Sequence, residues 1–125
     1  MIILDTHMWA WFHTGDSRLS DTVARQIGRE TLLSAVSVWE LHMLIERGRI
    51  TSGSSPAETV GAWLKTAPMR VIPVDQEIAI LSRTLPFEHD DPADRFIAAT
   101  AYRAGVPLAT VDSRLTGLNW LNTVS

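Results

Sequence analysis

Short, continuously apolar segments alternate with amphipathic stretches along the chain. The segments of strand length are residues 2–4, 31–35, 70–74, 108–111 and 122–124. The stretches with helical patterning are residues 7–13, 20–29, 38–48, 56–65, 76–84 and 92–104. Continuously apolar strands that alternate with helices are typical of a parallel sheet covered on both faces. The pattern therefore predicts a three-layer α/β/α fold with a mainly parallel central sheet of four to five strands.

Four acidic residues stand near the predicted carboxyl edge of this sheet, where open parallel sheets bind ligands. Asp5 and Asp112 follow the first and fourth strands, and Glu40 lies in the first turn of the helix after the second. Asp94 lies in the first turn of the helix that begins at Pro92, whose N-terminus points to the same edge if it feeds the next parallel strand. We expect the four side chains to meet in one crevice.

Four neighbouring carboxylates repel one another and raise one another's pKa unless a cation neutralises them. The chain has no cysteine, so a thiolate zinc site is excluded. Oxygen ligands alone favour Mg²⁺ or Mn²⁺. The pattern is therefore typical of a site for one of these ions.

Each acid also has a purely structural interpretation, because acids at helix N-termini cap helices. The pairs with capping-box spacing are Ser37 with Glu40, Asp91 with Asp94, and Ser55 with Glu58. No strand precedes Ser55, and we interpret it and Glu58 as a cap alone. Capping does not require an acid at every junction on one edge of the sheet.

Composition places the chain among ordinary globular proteins. It has 125 residues, 46% apolar and 20% charged, and is expected to form one domain over residues 1–125. No run approaches the roughly 20 apolar residues of a membrane span, and the first residues lack the basic and apolar regions of a signal peptide. A cytoplasmic protein without disulfides is expected.

Four segments carry a resemblance to a known family. They are LDTH at residues 4–7, SVWEL at 37–41, HDDPADRFIAATA at 89–101 and TVD at 110–112. In this order they resemble the motifs of PIN-domain ribonucleases, and most closely those of the VapC toxins of bacterial toxin–antitoxin pairs. The resemblance covers essentially the whole chain.

The resemblance implies a Mg²⁺- or Mn²⁺-dependent endoribonuclease whose catalytic residues are Asp5, Glu40, Asp94 and Asp112. Asp5 and Asp94 are expected to bind the metal directly, and Asp112 to bind it or to hold its water. Glu40 is expected to orient the attacking water or accept its proton. RNA is the implied substrate, and an antitoxin and a second copy of the chain are the implied partners.

Further residues near these motifs are candidates for supporting roles. Thr6 and Ser37 are expected to hydrogen-bond the carboxylates, and Asp91 to cap its helix. For Arg95 two interpretations remain open, contact with an RNA phosphate or pairing with Asp91. The four histidines lack metal-ligand spacing, although two of them are expected near the cleft. These two are His7 and His89, and the others are His13 and His42.

The chain departs from the family pattern in its basic residues. Related toxins often carry a basic residue at the position of Asp90 and a lysine at that of Leu44. Arg47 and Arg49, at the end of the same helix, are candidates to replace that charge. The net charge is −3, but setting the four site acids aside leaves 10 acidic residues against 11 basic ones. Weak nonspecific affinity for RNA is expected.

The five tryptophans are unusual for this length. We expect Trp39 to pack toward the core. Trp9 and Trp11 are two apart on one helix, so one of them is expected to be exposed and available to a partner such as an antitoxin helix.

Three other functions remain as alternatives. A phosphatase of the haloacid-dehalogenase type requires a second aspartate where this chain has His7, and a receiver domain requires a late lysine, whereas Lys65 is the only lysine. A catalytically inactive PIN-like interaction module is disfavoured because all four acids are present.

Overall fold

The structure, a computed structural model, describes residues 1–28, 30–67 and 69–125. Its strands are β1 (Ile2–Leu4), β2 (Thr31–Ser34), β3 (Met69–Ile72), β4 (Leu108–Ala109) and β5 (Thr123–Val124). Its helices are α1 (Thr6–Thr14), α2 (Asp21–Ile27), α3 (Ala35–Glu46), α4 (Pro56–Thr66), α5 (Gln76–Thr84), α6 (Pro92–Ala104) and α7 (Ser113–Thr116). Among the described helices, none is long and apolar enough to cross a membrane.

The strands form one sheet in the order β3-β2-β1-β4-β5, and each neighbouring pair is parallel. Ile3 in the central strand β1 is paired with Leu32 on one side and Leu108 on the other. The carboxyl ends of β1, β2 and β4 therefore lie side by side at one edge. The predicted parallel sheet is confirmed.

Two hydrophobic clusters cover the two faces of the sheet. Ile2 and Leu4 belong to a cluster with α1, α2, α3 and α4, whereas Ile3 belongs to a cluster with α6 and α7. Successive side chains of a strand point to opposite faces, so the three apolar residues of β1 supply both clusters. This arrangement confirms the three-layer α/β/α prediction.

Some predicted boundaries were wrong. Helix α3 begins at Ala35 because the hydroxyl of Ser34 accepts a hydrogen bond from the backbone N–H of Val36 at 3.1 Å and caps the helix. Ser37 therefore lies inside the helix, and Glu40 lies in its second turn instead of its first. Strand β2 ends one residue earlier than predicted. The predicted end of the second helix, at Arg29, falls outside the described residues.

Three strands also differ from their predicted lengths. Strand β3 begins one residue earlier and ends two residues earlier than predicted. Strand β4 ends at Ala109, two residues before its predicted end, and β5 has two residues instead of three. Asp112 consequently stands three residues beyond β4, at the start of α7.

Candidate active site

The structure brings the four predicted acids together. Asp5, Glu40, Asp94 and Asp112 line one cavity of about 320 Å³ at the carboxyl edge of the sheet. The remaining lining residues are His7, Trp11, Asp91, Val111 and Arg114. The expectation that these acids share a crevice is therefore confirmed as geometry, and their chemical roles stay predictions.

Asp5 is buried at the end of β1, with 8% of its surface exposed. One carboxylate oxygen accepts the backbone N–H of Thr6 at 2.7 Å, and the other accepts the hydroxyl of Thr110 at 2.7 Å. An ordinary cap accepts from the second or third N–H of its helix, as Ser55 does from Glu58. Asp5 accepts from the first residue of α1, so its carboxylate is fixed by Thr6 and Thr110 instead of serving as an ordinary cap.

Asp94 occupies the third position of α6, and its carboxylate points into the cavity. Its backbone N–H donates to Asp91 at 3.3 Å, so Asp91 caps the helix as predicted. One carboxylate oxygen of Asp94 accepts from Nε2 of His89 at 3.0 Å and from Nη2 of Arg114 at 3.2 Å. The Asp94 carboxylate therefore lines the cavity, and helix capping does not explain this position.

Glu40 faces the same cavity from α3 and is partly buried. Burial raises its pKa, a hydrogen bond with Thr6 opposes that rise, and the negative charges of Asp5 and Asp94 add to it. The hydroxyls of Thr6 and Ser37 lie 2.9 Å apart, within hydrogen-bond distance of each other. Thr6 therefore contacts the carboxylates as expected, whereas the contact of Ser37 is with Thr6 and not with a carboxylate.

Asp112 caps the short helix α7 and pairs with Arg114. The Arg114 guanidinium donates to both of its carboxylate oxygens, from Nη2 at 2.9 Å and from Nε at 3.2 Å. This contact lowers the pKa of Asp112. Asp112 therefore carries its negative charge beside a cation that contacts both of its carboxylate oxygens.

The other three acids carry poorly compensated charge. Burial raises the pKa of Asp5, and it raises the pKa of Asp94 to about 6, with further increases from neighbouring carboxylates. Glu40 shifts in the same direction. Such shifts indicate that the ionised cluster costs free energy without an added cation.

The donor chemistry fits a hard divalent ion, because the cluster offers carboxylate oxygens and excess negative charge. As the side chains lie, however, no three Asp, Glu or His side chains within the described ranges are grouped as a set of metal ligands. The Arg114 guanidinium lies on Asp94 and Asp112 instead.

A profile of the PIN domain matches residues 2–121, nearly the whole chain. The chain belongs to the PIN-domain family.

A relative found by sequence agrees with this assignment, and solved structures share the fold. The chain is 34% identical over 119 residues to Ribonuclease VapC22 from Mycobacterium tuberculosis, a match that covers 91% of this chain and 88% of the relative. The fold is similar to that of FitAcB from Neisseria gonorrhoeae, with a TM-score of 0.74, 20% identity and coverage of 100% and 97% of the two chains. A toxin–antitoxin complex from Klebsiella pneumoniae gives a TM-score of 0.73 at 18% identity, with the same coverage.

The site of this PIN domain includes three contacts that the sequence analysis missed. Thr110 belongs to the recognised TVD motif but had no assigned role, and it fixes Asp5. His89 was expected only near the cleft, and it contacts Asp94 directly. Arg114 was not considered at all, although its position two residues after Asp112 is a signal, because such an arginine can reach back to a capping aspartate.

Within the protein, Arg95 contacts other groups than the Asp91 that one interpretation gave it, and the contact with an RNA phosphate stays a prediction. Its Nε donates to the backbone carbonyl of Ser82 at 2.7 Å, and its Nη1 donates to the carbonyl of His89 at 3.2 Å. The guanidinium also lies 4.7 Å from the ring centre of Phe87 and 3.3 Å from a carboxylate oxygen of Asp90. Arg95 fastens the segment before α6 to α5, and thereby positions His89 beside the acids.

The expected tryptophan positions were wrong. Trp39 is 60% exposed, because the buried face of α3 carries Leu41 and Leu44, and a residue two positions before Leu41 lies on the opposite side of a helix. Trp9 and Trp11 are both buried. Both sides of α1 are covered, with Trp63 against Trp9 and the guanidinium of Arg18 over the ring of Trp11.

The structure places one of the two candidate arginines, Arg49, near the acid cavity. Leu44 is buried in α3 and Asp90 is exposed, where it pairs with Arg83. Arg49 lines a second groove that adjoins the acid cavity and shares Glu40 with it. Arg49 is therefore the better placed of the two candidate arginines for contact with a long polyanion.

The burial of Asp94 predicts a pH-dependent stability of the metal-free protein. Its pKa is about 6 in the folded state and lies near 3.9 in an unfolded chain. The folded state therefore binds a proton between these values that the unfolded state has lost, so stability falls as pH rises through this window. Removing the charge at residue 94 should raise the free energy of unfolding by on the order of 2 kcal/mol at pH 7.5.

Thermal unfolding in EDTA from pH 5 to 7.5 measures this effect. Burial lowers the pKa of His13, which opposes the trend around pH 6. The informative quantity is therefore the difference between the wild type and Asp94→Asn, which retains His13. A Tm difference that stays constant across this pH range would contradict the assigned charge state of Asp94.

Proposed function

We propose that this protein is a divalent-metal-dependent endoribonuclease and the toxin of a toxin–antitoxin pair. The observation that carries the proposal is the meeting of four acids, from four separate segments of the chain, in one cavity whose negative charge is only partly compensated by Arg114. Membership of the PIN family and the similarity to a ribonuclease support it.

In this proposal Asp5, Asp94 and Asp112 would hold Mg²⁺ or Mn²⁺. The bound ion supplies Lewis-acid chemistry, which favours deprotonation of water and offsets phosphate charge. Thr110 and the Thr6 N–H fix the orientation of the Asp5 carboxylate, and ligands held in this way bind metal more tightly.

Glu40 is the proposed general base. Burial raises its pKa, which strengthens it as a proton acceptor. It takes a proton from the attacking water, whose oxygen bonds to phosphorus while the bond to the leaving ribose oxygen breaks. The leaving oxygen takes a proton from solvent water and Glu40 returns its proton to solvent, so the sum of the reaction is hydrolysis of one phosphodiester.

An antitoxin and a second copy of the chain are the proposed partners, in a cytoplasmic setting. The surface next to the acids supports a protein partner, because an apolar groove of about 440 Å³ lies between α3, α6 and the segment after β3. The exposed Trp39 and Val74 line it. Exposed tryptophans in apolar surroundings are enriched at protein interfaces.

Analysis of the RNA ends tests the proposed activity. Purified protein with Mg²⁺ or Mn²⁺ is expected to cut total RNA internally, and primer extension on the products locates the cuts. Because water attacks, the ends should carry phosphate monoesters and hydroxyls and no 2′,3′-cyclic phosphate. Cyclic phosphate ends, or release of phosphate from small monoesters without RNA cleavage, would contradict the proposal.

A further inference from the structure

In the segment Asp112-Ser113-Arg114 the arginine folds back onto the aspartate, an arrangement that we call a fork and that occurs elsewhere in the chain. The backbone N–H of Arg114 donates to Asp112 at 2.9 Å, and its guanidinium donates to both carboxylate oxygens. Asp16-Ser17-Arg18 has the same three residues and the same contacts, at 2.9 Å from the backbone, 3.0 Å from Nε and 2.7 Å from Nη2. The fork itself is therefore a local property of the Asp-Ser-Arg sequence.

The two forks differ in what else the arginine meets. Nη2 of Arg114 lies 3.2 Å from a carboxylate oxygen of Asp94, in addition to its contact with Asp112. The guanidinium of Arg18 lies instead over the ring of Trp11, at 4.6 Å. Because the Arg114 fork follows β4, it lies at the acid cavity. Its guanidinium there contacts a second carboxylate, that of Asp94, which is distant in the sequence.

The oxygens that Arg114 engages are those that the proposed function assigns to a metal ion. It occupies both oxygens of Asp112 and one oxygen of Asp94. A guanidinium and a divalent cation repel each other and compete for the negative charge of the same carboxylates, so the presence of one weakens binding of the other. The Arg114 side chain is 52% exposed, which leaves it room to turn toward solvent.

We propose that Arg114 is an internal counter-ion that occupies Asp94 and Asp112 in the metal-free protein and is displaced when a divalent ion binds. The inference rests on the proposed metal site. It makes Arg114 a positioning residue that sets metal affinity. Only the fraction of molecules whose guanidinium has left is competent to bind, and the apparent affinity falls by that fraction.

Calorimetric titration of the full-length protein with Mn²⁺ tests the inference, with Mg²⁺ as a second titrant. Arg114→Gln removes the charge and the fork, so we expect its Kd to fall roughly three- to tenfold, as suits a charge-assisted contact at a half-exposed site. Arg18→Gln removes the matching fork outside the acid pair and is expected to leave Kd unchanged. Arg114→Lys keeps a charge without the fork and should give an intermediate Kd.

Thermal unfolding provides a second readout that does not depend on activity. Without metal, Arg114→Gln should have a lower Tm than the wild type, because Asp94 loses a neighbouring cation. Saturating Mn²⁺ should then raise its Tm more than it raises that of the wild type. A merely structural role of the fork would lower Tm equally with and without metal.

The outcomes separate this inference from the proposed function. If the wild type and Arg114→Gln bind Mn²⁺ with the same Kd, or the variant binds more weakly, the inference is overturned and the metal site stands. If neither protein binds Mn²⁺ at millimolar concentration, the metal site itself is wrong, and the inference falls with it.

Discussion

Asp94→Asn is expected to abolish metal-dependent RNA cleavage by this PIN domain. The substitution preserves the size of the side chain and the N–H that Asp91 accepts, but it removes the negative charge at the centre of the cluster. Loss of a single preorganised group at a catalytic centre costs on the order of a hundred- to a thousandfold in rate, and we expect at least the upper end of this range. Cleavage of a labelled RNA in single-turnover conditions gives the rate.

Glu58→Gln is the matched control for this substitution. Glu58, like Asp94, is an acid at the third position of a helix that begins with proline, and its N–H also donates to the capping residue. It lies exposed on α4, away from the acid cavity. The RNA cleavage rate of Glu58→Gln should equal that of the wild type. Full activity in Asp94→Asn, or equal loss in both variants, would contradict the assigned site.

Chelation of divalent ions is expected to reduce cleavage to background, and added Mg²⁺ or Mn²⁺ to restore it. Without an ion, Asp5, Glu40 and Asp94 present negative charge to the phosphate. No bound cation then lowers the pKa of the attacking water. Because a bound divalent ion lowers that pKa by several units, the loss should exceed about a thousandfold. The measurement is the cleavage rate in EDTA and after addition of excess metal.

EDTA already saturated with Mg²⁺ controls for effects of the chelator itself. The fold should persist in EDTA, as monitored by circular dichroism, because two hydrophobic clusters hold the sheet between its helices. Cleavage that continues in EDTA would instead indicate attack by the ribose 2′-hydroxyl. The nearby imidazoles of His7 and His89 would then be candidate proton carriers.

The Arg95 and Trp39 results show where one-dimensional patterns lose information. An arginine beside a site aspartate has several partners within reach, and which of them it meets depends on the path of the 85–91 segment. The apolar character of Trp39 suggested burial, but its angular position on α3 places it opposite the buried face. The predicted start of that helix was three residues too late, so Glu40 was expected in the first turn but lies in the second.

The sequence by itself determined the strands, most helices and the set of acids at the sheet edge. These features depend on local rules, because periodicity reports buried faces, and caps such as Ser20, Ser55 and Asp91 mark helix starts. Parallel strands then bring residues after successive strands to the same edge whatever their separation in the chain. Hence the meeting of the four acids could be predicted.

Only the tertiary structure decided what surrounds those acids. Thr110 and Asp5 are joined by a hydrogen bond across 105 residues of sequence, and Arg114 reaches Asp94 across 20. Such contacts depend on strand order, register and the exit angle of each loop, which hydrophobic periodicity does not encode. Local sequence patterns therefore predicted that the carboxylates meet. The packing of distant segments determined that the Thr110 hydroxyl contacts Asp5 and that the Arg114 guanidinium contacts Asp94.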